Sequence, residues 1–163
     1  MRPFSFVLNM HIGQLRNSPA IYRHLLQTAD PQALVTYRDG GDGWTAAEVI
    51  GHLLDCERLF LERAQLVMVH DFPVLPFPDQ DEDVIKGRYN KRDPLETSQA
   101  WQQVRGEYVA YLETVPETGW SREGRHPIYE PTLSLLEQLF VACWHDTLHA
   151  EQITRILAEK RVS

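Results

Sequence analysis

The chain has 163 residues, 43% of them hydrophobic and 24% charged, with a net charge of −7 and a pI near 5.4. That length suits one domain over residues 1–163 and buries a full core without disulfide or metal staples, so a metal here would serve function rather than folding. The acidic balance excludes the clustered basic face of a nucleic-acid binder, no run of about 18 apolar residues offers a membrane span, and the N-terminus lacks the length and cleavage pattern of a signal peptide, so a cytoplasmic protein is expected.

Apolar residues at Ile12, Leu15, Ile21, Tyr22 and Leu25 predict a first helix from about Phe6 to Thr28. It should bend or break at Ser18-Pro19, because proline has no N–H to give and its ring crowds the preceding turn. His11 and His24 lie on it without a second histidine at ligand spacing, and read as surface or core residues. Asp30 to Gly43 reads as a linker, since its Asp39-Gly40-Gly41-Asp42-Gly43 run cannot hold a helix. Thr45 then opens a second helix that runs to about Val69. Glu48 completes its capping box, and Trp44 can pack on Val49 as a hydrophobic staple.

Between His70 and Asp93 the chain is broken by Pro73, Pro76 and Pro78. Asp79, Asp81, Glu82 and Asp83 make an exposed acidic loop that lacks the Gly and Glu positions of an EF-hand. One short helical turn is expected around Glu82 to Tyr89, and the mixed basic cluster from Lys86 to Arg92 reads as a solvated turn. A third helix opens at Asp93, with Pro94 at its first position and Glu96 as capping partner. Leu95, Trp101, Val104, Tyr108, Tyr111 and Leu112 carry it to about Val115. Pro116 to Pro131 is a connector, and Thr132 is expected to cap a last helix reaching Arg161. With no strand-like alternation and no internal repeat, the fold class is all-α, an antiparallel four-helix bundle.

The chemistry concentrates on the last helix. His145 and His149 lie one turn apart, and side chains four apart share a helix face at roughly 5–6 Å between Cβ atoms. That separation lets two imidazoles reach one metal ion; the competing reading is a hydrogen-bonded or exposed pair. A third histidine, His52, sits on the second helix with Glu48, Cys56, Leu59 and Arg63 on its face, where that helix is apolar or reactive rather than charged. A buried imidazole there needs a partner, because an unpaired polar group in an apolar interior costs a few kcal/mol.

Bundles build core sites from facing helices. Three neutral imidazoles from two helices would leave a divalent ion with open positions, as catalytic sites do. Zinc, nickel and iron all accept imidazole nitrogen, and the pattern does not choose between them. The ring nitrogens turned away from the metal need hydrogen-bond partners. Asp55, Asp146 and Gln152 are near enough in sequence, and Gln152 shares the face of His145 and His149. Gln138, nearly two turns before His145, and Arg63 are placed to line the cavity. Cys56 and Cys143 fall on core-facing positions and are expected as free buried thiols.

The pattern Trp44-Thr45-x-x-Glu48-x-x-Gly51-His52-Leu53-x-Asp55-x-Glu57-Arg58, followed by His145-x-x-x-His149-x-x-Gln152-Ile153, resembles the DinB-like superfamily over almost the whole chain. The resemblance implies a four-helix bundle holding a divalent metal on one histidine of the second helix and two of the fourth, here His52, His145 and His149, and a homodimer. Characterised members include metal-dependent S-transferases that use bacillithiol, mycothiol or a similar low-molecular-weight thiol, and a maleylpyruvate isomerase. It therefore implies a thiol transferase acting on a small electrophile, with Arg63, Gln138 and Gln152 as candidate contacts to the cosubstrate. The alternatives are a metal-dependent hydrolase, where the open metal position activates water, and a non-catalytic, stress-related metal-binding module. No catalytic residue is recognisable: neither cysteine has a base and no serine nucleophile motif is present.

Overall fold

The computed structural model describes residues 4–128 and 132–158. The elements in chain order are α1 (Phe4–Asn17), α2 (Pro19–Thr28), α3 (Pro31–Thr36), α4 (Ala46–Val69), α5 (Gln80–Gly87), α6 (Pro94–Glu113), β1 (Glu123–Gly124), β2 (Leu133–Ser134) and α7 (Leu135–Ala158). Arg161, the expected end of the last helix, lies outside the described residues. The architecture is a four-helix bundle: α4 packs on α6 and α7, and the broken arm α1–α2 closes the other side against the same two helices. No helix among the described residues is long and apolar enough to cross a membrane.

The break falls at Ser18, as the Ser18-Pro19 pair predicts. Because Pro19 cannot donate to the carbonyl of Leu15, that oxygen is left for another donor. Arg105 Nη1 takes it at 2.9 Å. The second helix begins as its sequence requires, with Thr45 Oγ1 accepting from Glu48 N at 3.2 Å and the Glu48 carboxylate accepting from Thr45 N at 2.9 Å.

Elsewhere tertiary structure overrides local expectation. Asp30 to Gly43 is more than a linker. Asp30 caps α3 by accepting from Gln32 N at 2.9 Å, and α3 buries Ala33 and Leu34. The glycine run then makes a 3-10 turn, with Gly40 and Gly41 at φ 61° and 93°, a region that costs glycine nothing. At the far end Ser134, not Thr132, caps α7. Its hydroxyl accepts from Glu137 N at 3.2 Å, and the Glu137 carboxylate accepts from Ser134 N at 2.8 Å. The reason is a two-residue antiparallel ladder that pairs Leu133 with Gly124 and Ser134 with Glu123. The backbone stays extended until it leaves that ladder, so the helix starts later than the threonine suggests. A ladder this short shows no alternation a sequence could reveal.

The interior divides into two apolar cores. One gathers Leu8, Phe60, Val67, Leu112, Leu135 and Leu139; the other gathers Tyr22, Ile50, Leu53, Trp101, Ile153 and Ile156. Each bundle helix passes from one core to the other, and polar residues occupy the crossing. On one side Arg105 is 2% exposed and bridges two carboxylates, with Nε and Nη2 on Glu57 at 2.7 and 2.6 Å and Nη1 and Nη2 on Asp146 at 2.7 and 2.9 Å. Trp101 Nε1 and Ser18 Oγ donate into the same cluster, to Glu57 and Asp146. On the other side stand the histidines.

Candidate metal centre

His52 comes from the middle of α4, and His145 and His149 from consecutive turns of α7. Their rings converge. His145 Nε2 lies 3.0 Å from His52 Nε2 and 3.1 Å from His149 Nε2, and the His52 and His149 ring centroids are 4.9 Å apart. His52 and His149 are buried, and His145 is nearly so.

The tautomer of His149 follows from its neighbours. Gln152 Nε2 donates to Asp39 Oδ2 at 3.1 Å, which turns the amide oxygen toward His149 Nδ1 at 2.8 Å. An amide oxygen only accepts, so Nδ1 carries the ring proton and Nε2 presents its lone pair to the cluster. Asp39 is held in turn by Arg155, whose Nε and Nη2 both donate to it at 2.8 Å. The sequence offered Gln152 but not Asp39, which sits in the glycine run.

Hydrogen bonding alone does not satisfy the three rings. With a bare Nε2 on His149, a proton on His145 Nε2 can be directed to one neighbour, leaving the other contact unmet. Without that proton, two lone pairs face each other at 3.1 Å. A cation resolves the conflict. Nitrogens sharing a metal at 2.0–2.1 Å lie roughly 2.9–3.4 Å apart for angles between 90° and tetrahedral, and the observed spacings fall in that range. Burial also keeps the rings in the form a metal takes. It pushes His52 down to about 3, helped by nearby His149. It also holds His145 well below its ordinary value and lowers His149 against the opposing hydrogen bond from Gln152.

Aromatic groups close the surroundings. Trp44 lies with its ring centroid 4.8 Å from that of His52 and stacks toward His149 at 6.5 Å, and Phe60 sets its edge on His145 at 5.9 Å. Trp44, expected as a staple, therefore also walls the site. Cys56, one turn beyond His52, places Sγ 3.5 Å from His52 Nε2. Burial pushes its thiol up to about 12. Cys56 and Cys143 are free and buried, as expected.

The remaining candidates divide. Asp55 accepts from Tyr89 Oη at 2.6 Å and from Arg58 at 3.2 Å, and Asp146 belongs to Arg105. Neither carboxylate supports a histidine ring as the sequence suggested, because each has a cationic or phenolic donor from another element. Arg63 is buried and donates Nε and Nη2 to Pro76 O at 2.9 and 2.6 Å, with its guanidinium 5.7 Å from the Phe77 centroid. It anchors the proline-broken segment. Gln138 is fully buried, and neither of its amide atoms has a hydrogen-bond partner among the described residues.

The sequence profile of the DinB superfamily matches residues 14–153. The chain belongs to the DinB superfamily. Within it, the chain is 26% identical over 147 residues to YfiT of Bacillus subtilis (strain 168), covering 89% of this chain and 81% of that protein. It is 25% identical over 153 residues to a Bacillus pumilus (strain SAFR-032) protein, covering 92% and 85%. YfiT is described as a probable metal-dependent hydrolase with an unusual four-helix bundle topology, and the B. pumilus protein carries a provisional designation as a metal-dependent hydrolase. The YfiT structure matches with a TM-score of 0.83 over 91% of this chain and 84% of that one. The mycothiol-dependent maleylpyruvate isomerase shares the fold, with a TM-score of 0.73 and 15% identity over 94% of this chain and 63% of that one.

Proposed function

We propose that this DinB protein is a metal-dependent enzyme in which His52, His145 and His149 hold a divalent ion, and that it transfers a low-molecular-weight thiol to a small electrophile. The observation that carries the metal is the unresolved contact of three Nε2 atoms around His145. A bound divalent ion supplies positive charge that moves a thiol from its ordinary pKa of about 8.5 toward the thiolate, the attacking form. The neutral rings add no charge of their own, so that effect is undiminished. Gln152 fixes the His149 ring, and Trp44 and Phe60 keep water from the histidine edges. Gln138 offers an unused buried amide two turns from His145 to a polar group of the substrate.

A thiol is favoured over water because the carboxylates nearby are already engaged. Glu48 closes the α4 cap and binds Arg38 and Asn90, Asp55 binds Tyr89, and Glu57 and Asp146 bind Arg105. Water starts from a pKa of 15.7 against about 8.5 for a thiol, so it has more need of a base. The second reading, hydrolysis, is supported by the descriptions of the two Bacillus relatives.

The test loads the purified, tag-free protein with zinc or nickel and follows monochlorobimane with a small thiol, in parallel with an ester and amide panel. Metal- and thiol-dependent consumption of the bimane supports the transferase; turnover of the panel without thiol supports the hydrolase. His149→Ala should lose stoichiometric metal with little change in helicity. Wild-type protein that binds neither metal overturns both readings.

A homodimer fits the same proposal. Phe140, Trp144 and Leu148 recur every four residues along α7 and stand 38%, 58% and 40% exposed. Such an apolar stripe favours burial against a partner. Sedimentation velocity should find a dimer that Trp144→Glu dissociates.

A further inference from the structure

We propose that α5 is a lid on the metal centre: residues 78–88 move off α4 to let substrates in and settle back to shut bulk water out. This rests on the metal reading above. The cavity beside His52 lies in the seam between the two helices. His52, Cys56 and Leu59 line it from α4, and Pro78 and Val84, among others, close it from the α5 side. Its volume is about 20 Å³, room for about one water. No thiol or electrophile passes along this seam to the His52 ring while α5 is seated.

The segment is tethered at both ends and weakly held between them. Before it, Arg63 donates to Pro76 O at 2.9 and 2.6 Å, Leu75 N donates to Arg125 O at 2.9 Å, and Arg125 N donates to Pro73 O at 2.8 Å. After it, Tyr89 Oη donates to Asp55 at 2.6 Å, and a Cβ on Gly51 or Gly87 would lie 2.1 or 2.2 Å from the Tyr89 ring. Arg88, where α5 ends against this anchor, turns left-handed at φ 50°. Among the described residues, no side chain of 78–88 makes a hydrogen bond or ion pair outside the segment: Asp79 caps α5, and Lys86 pairs with Glu82. What seats α5 is apolar. Val84 is buried, while Ile85 beside it is 75% exposed. Segments held by few apolar contacts open ahead of the rest of a fold. Shutting the seam favours transfer over hydrolysis, because a thiolate kept from bulk water meets its electrophile without competition.

Cys56 lies beneath α5 and reports its opening without metal or turnover. Iodoacetamide, with the labelled sites read by peptide mass spectrometry, should modify Cys56 of the metal-free protein faster than the global unfolding equilibrium in urea allows. Val84→Ala removes two buried methyl groups and should quicken that labelling by on the order of tenfold, whereas Ile85→Ala should not. Labelling no faster than global unfolding allows, unmoved by Val84→Ala, or equally raised by Ile85→Ala overturns the lid. In the zinc-loaded protein, capture of the ion by EDTA should quicken with Val84→Ala; an unchanged rate means that the ion is reached by another way and overturns the gate. Protein that binds no zinc overturns the metal reading instead, and the labelling still decides whether α5 opens. Should Val84→Ala fail to fold, hydrogen exchange of the wild type decides: α5 amides exchanging ahead of those of α4 and α6 support the lid, and exchange in step with them refutes it.

Discussion

Asp39 and His149 do not touch, yet one amide ties them together: Gln152 donates to the carboxylate at 3.1 Å and accepts from the ring at 2.8 Å. A glycine-rich turn thereby sets the tautomer of a histidine on α7. Partners of this kind are worth 10–100-fold in metal affinity when removed. Gln152→Leu should therefore weaken zinc binding by about that factor while leaving far-UV circular dichroism unchanged. Competition with a chromophoric chelator measures it, and an unaltered affinity would show that Gln152 has no hold on the ring.

Asp39 also carries a pH dependence. The hydrogen bonds from Arg155 hold its carboxyl below the ordinary 3.8; burial opposes them, and the hydrogen bond from Gln152 adds to the lowering. A carboxylate with a lowered folded pKa stabilises the fold above its unfolded pKa, and that contribution is lost as pH falls through the folded value. The urea midpoint of the wild type should thus exceed that of Asp39→Asn by a constant amount near neutrality and converge with it below pH 3.8. A gap that survives to the acid limit would contradict the assigned contacts.

Arg105 is a buried ionic junction between α4, α6 and α7. It is one guanidinium between two carboxylates, all three nearly free of solvent. Breaking a buried pair by removing one partner costs about 3–5 kcal/mol because the remaining charge is left uncompensated. Arg105→Met should lower the melting temperature by on the order of 10 °C at this chain length. A loss under about 1 kcal/mol in urea would show that the two acids are neutralised by protonation instead.

Gly51 precedes His52 for steric reasons. A Cβ there would lie 2.1 Å from the Tyr89 ring, whose hydroxyl holds Asp55. Replacing a mid-helix glycine by alanine ordinarily gains up to about 1 kcal/mol, but overpacking of this kind costs about 1–3 kcal/mol, so the collision wins. Gly51→Ala should destabilise the wild type and become neutral or stabilising in a Tyr89→Ala background. Equal effects in both backgrounds would remove Tyr89 as the cause.

The sequence by itself determined the four long helices, the break at Ser18-Pro19, the capping box at Thr45 and the histidines to bring together. These are matters of period, proline geometry and neighbours within four residues, which a linear chain displays. It did not display Asp39 behind Gln152, Arg105 between Glu57 and Asp146, Trp44 over the rings, or the ladder that delays α7 to Ser134. Each joins residues far apart in the chain, and their pairing is decided only when the helices choose neighbours and the buried donors and acceptors are matched. Asp55 and Asp146 show the same limit. Sequence placed them beside histidines, but each carboxylate went to the donor that packing brought nearer, because a carboxylate takes the strongest partner within hydrogen-bond reach.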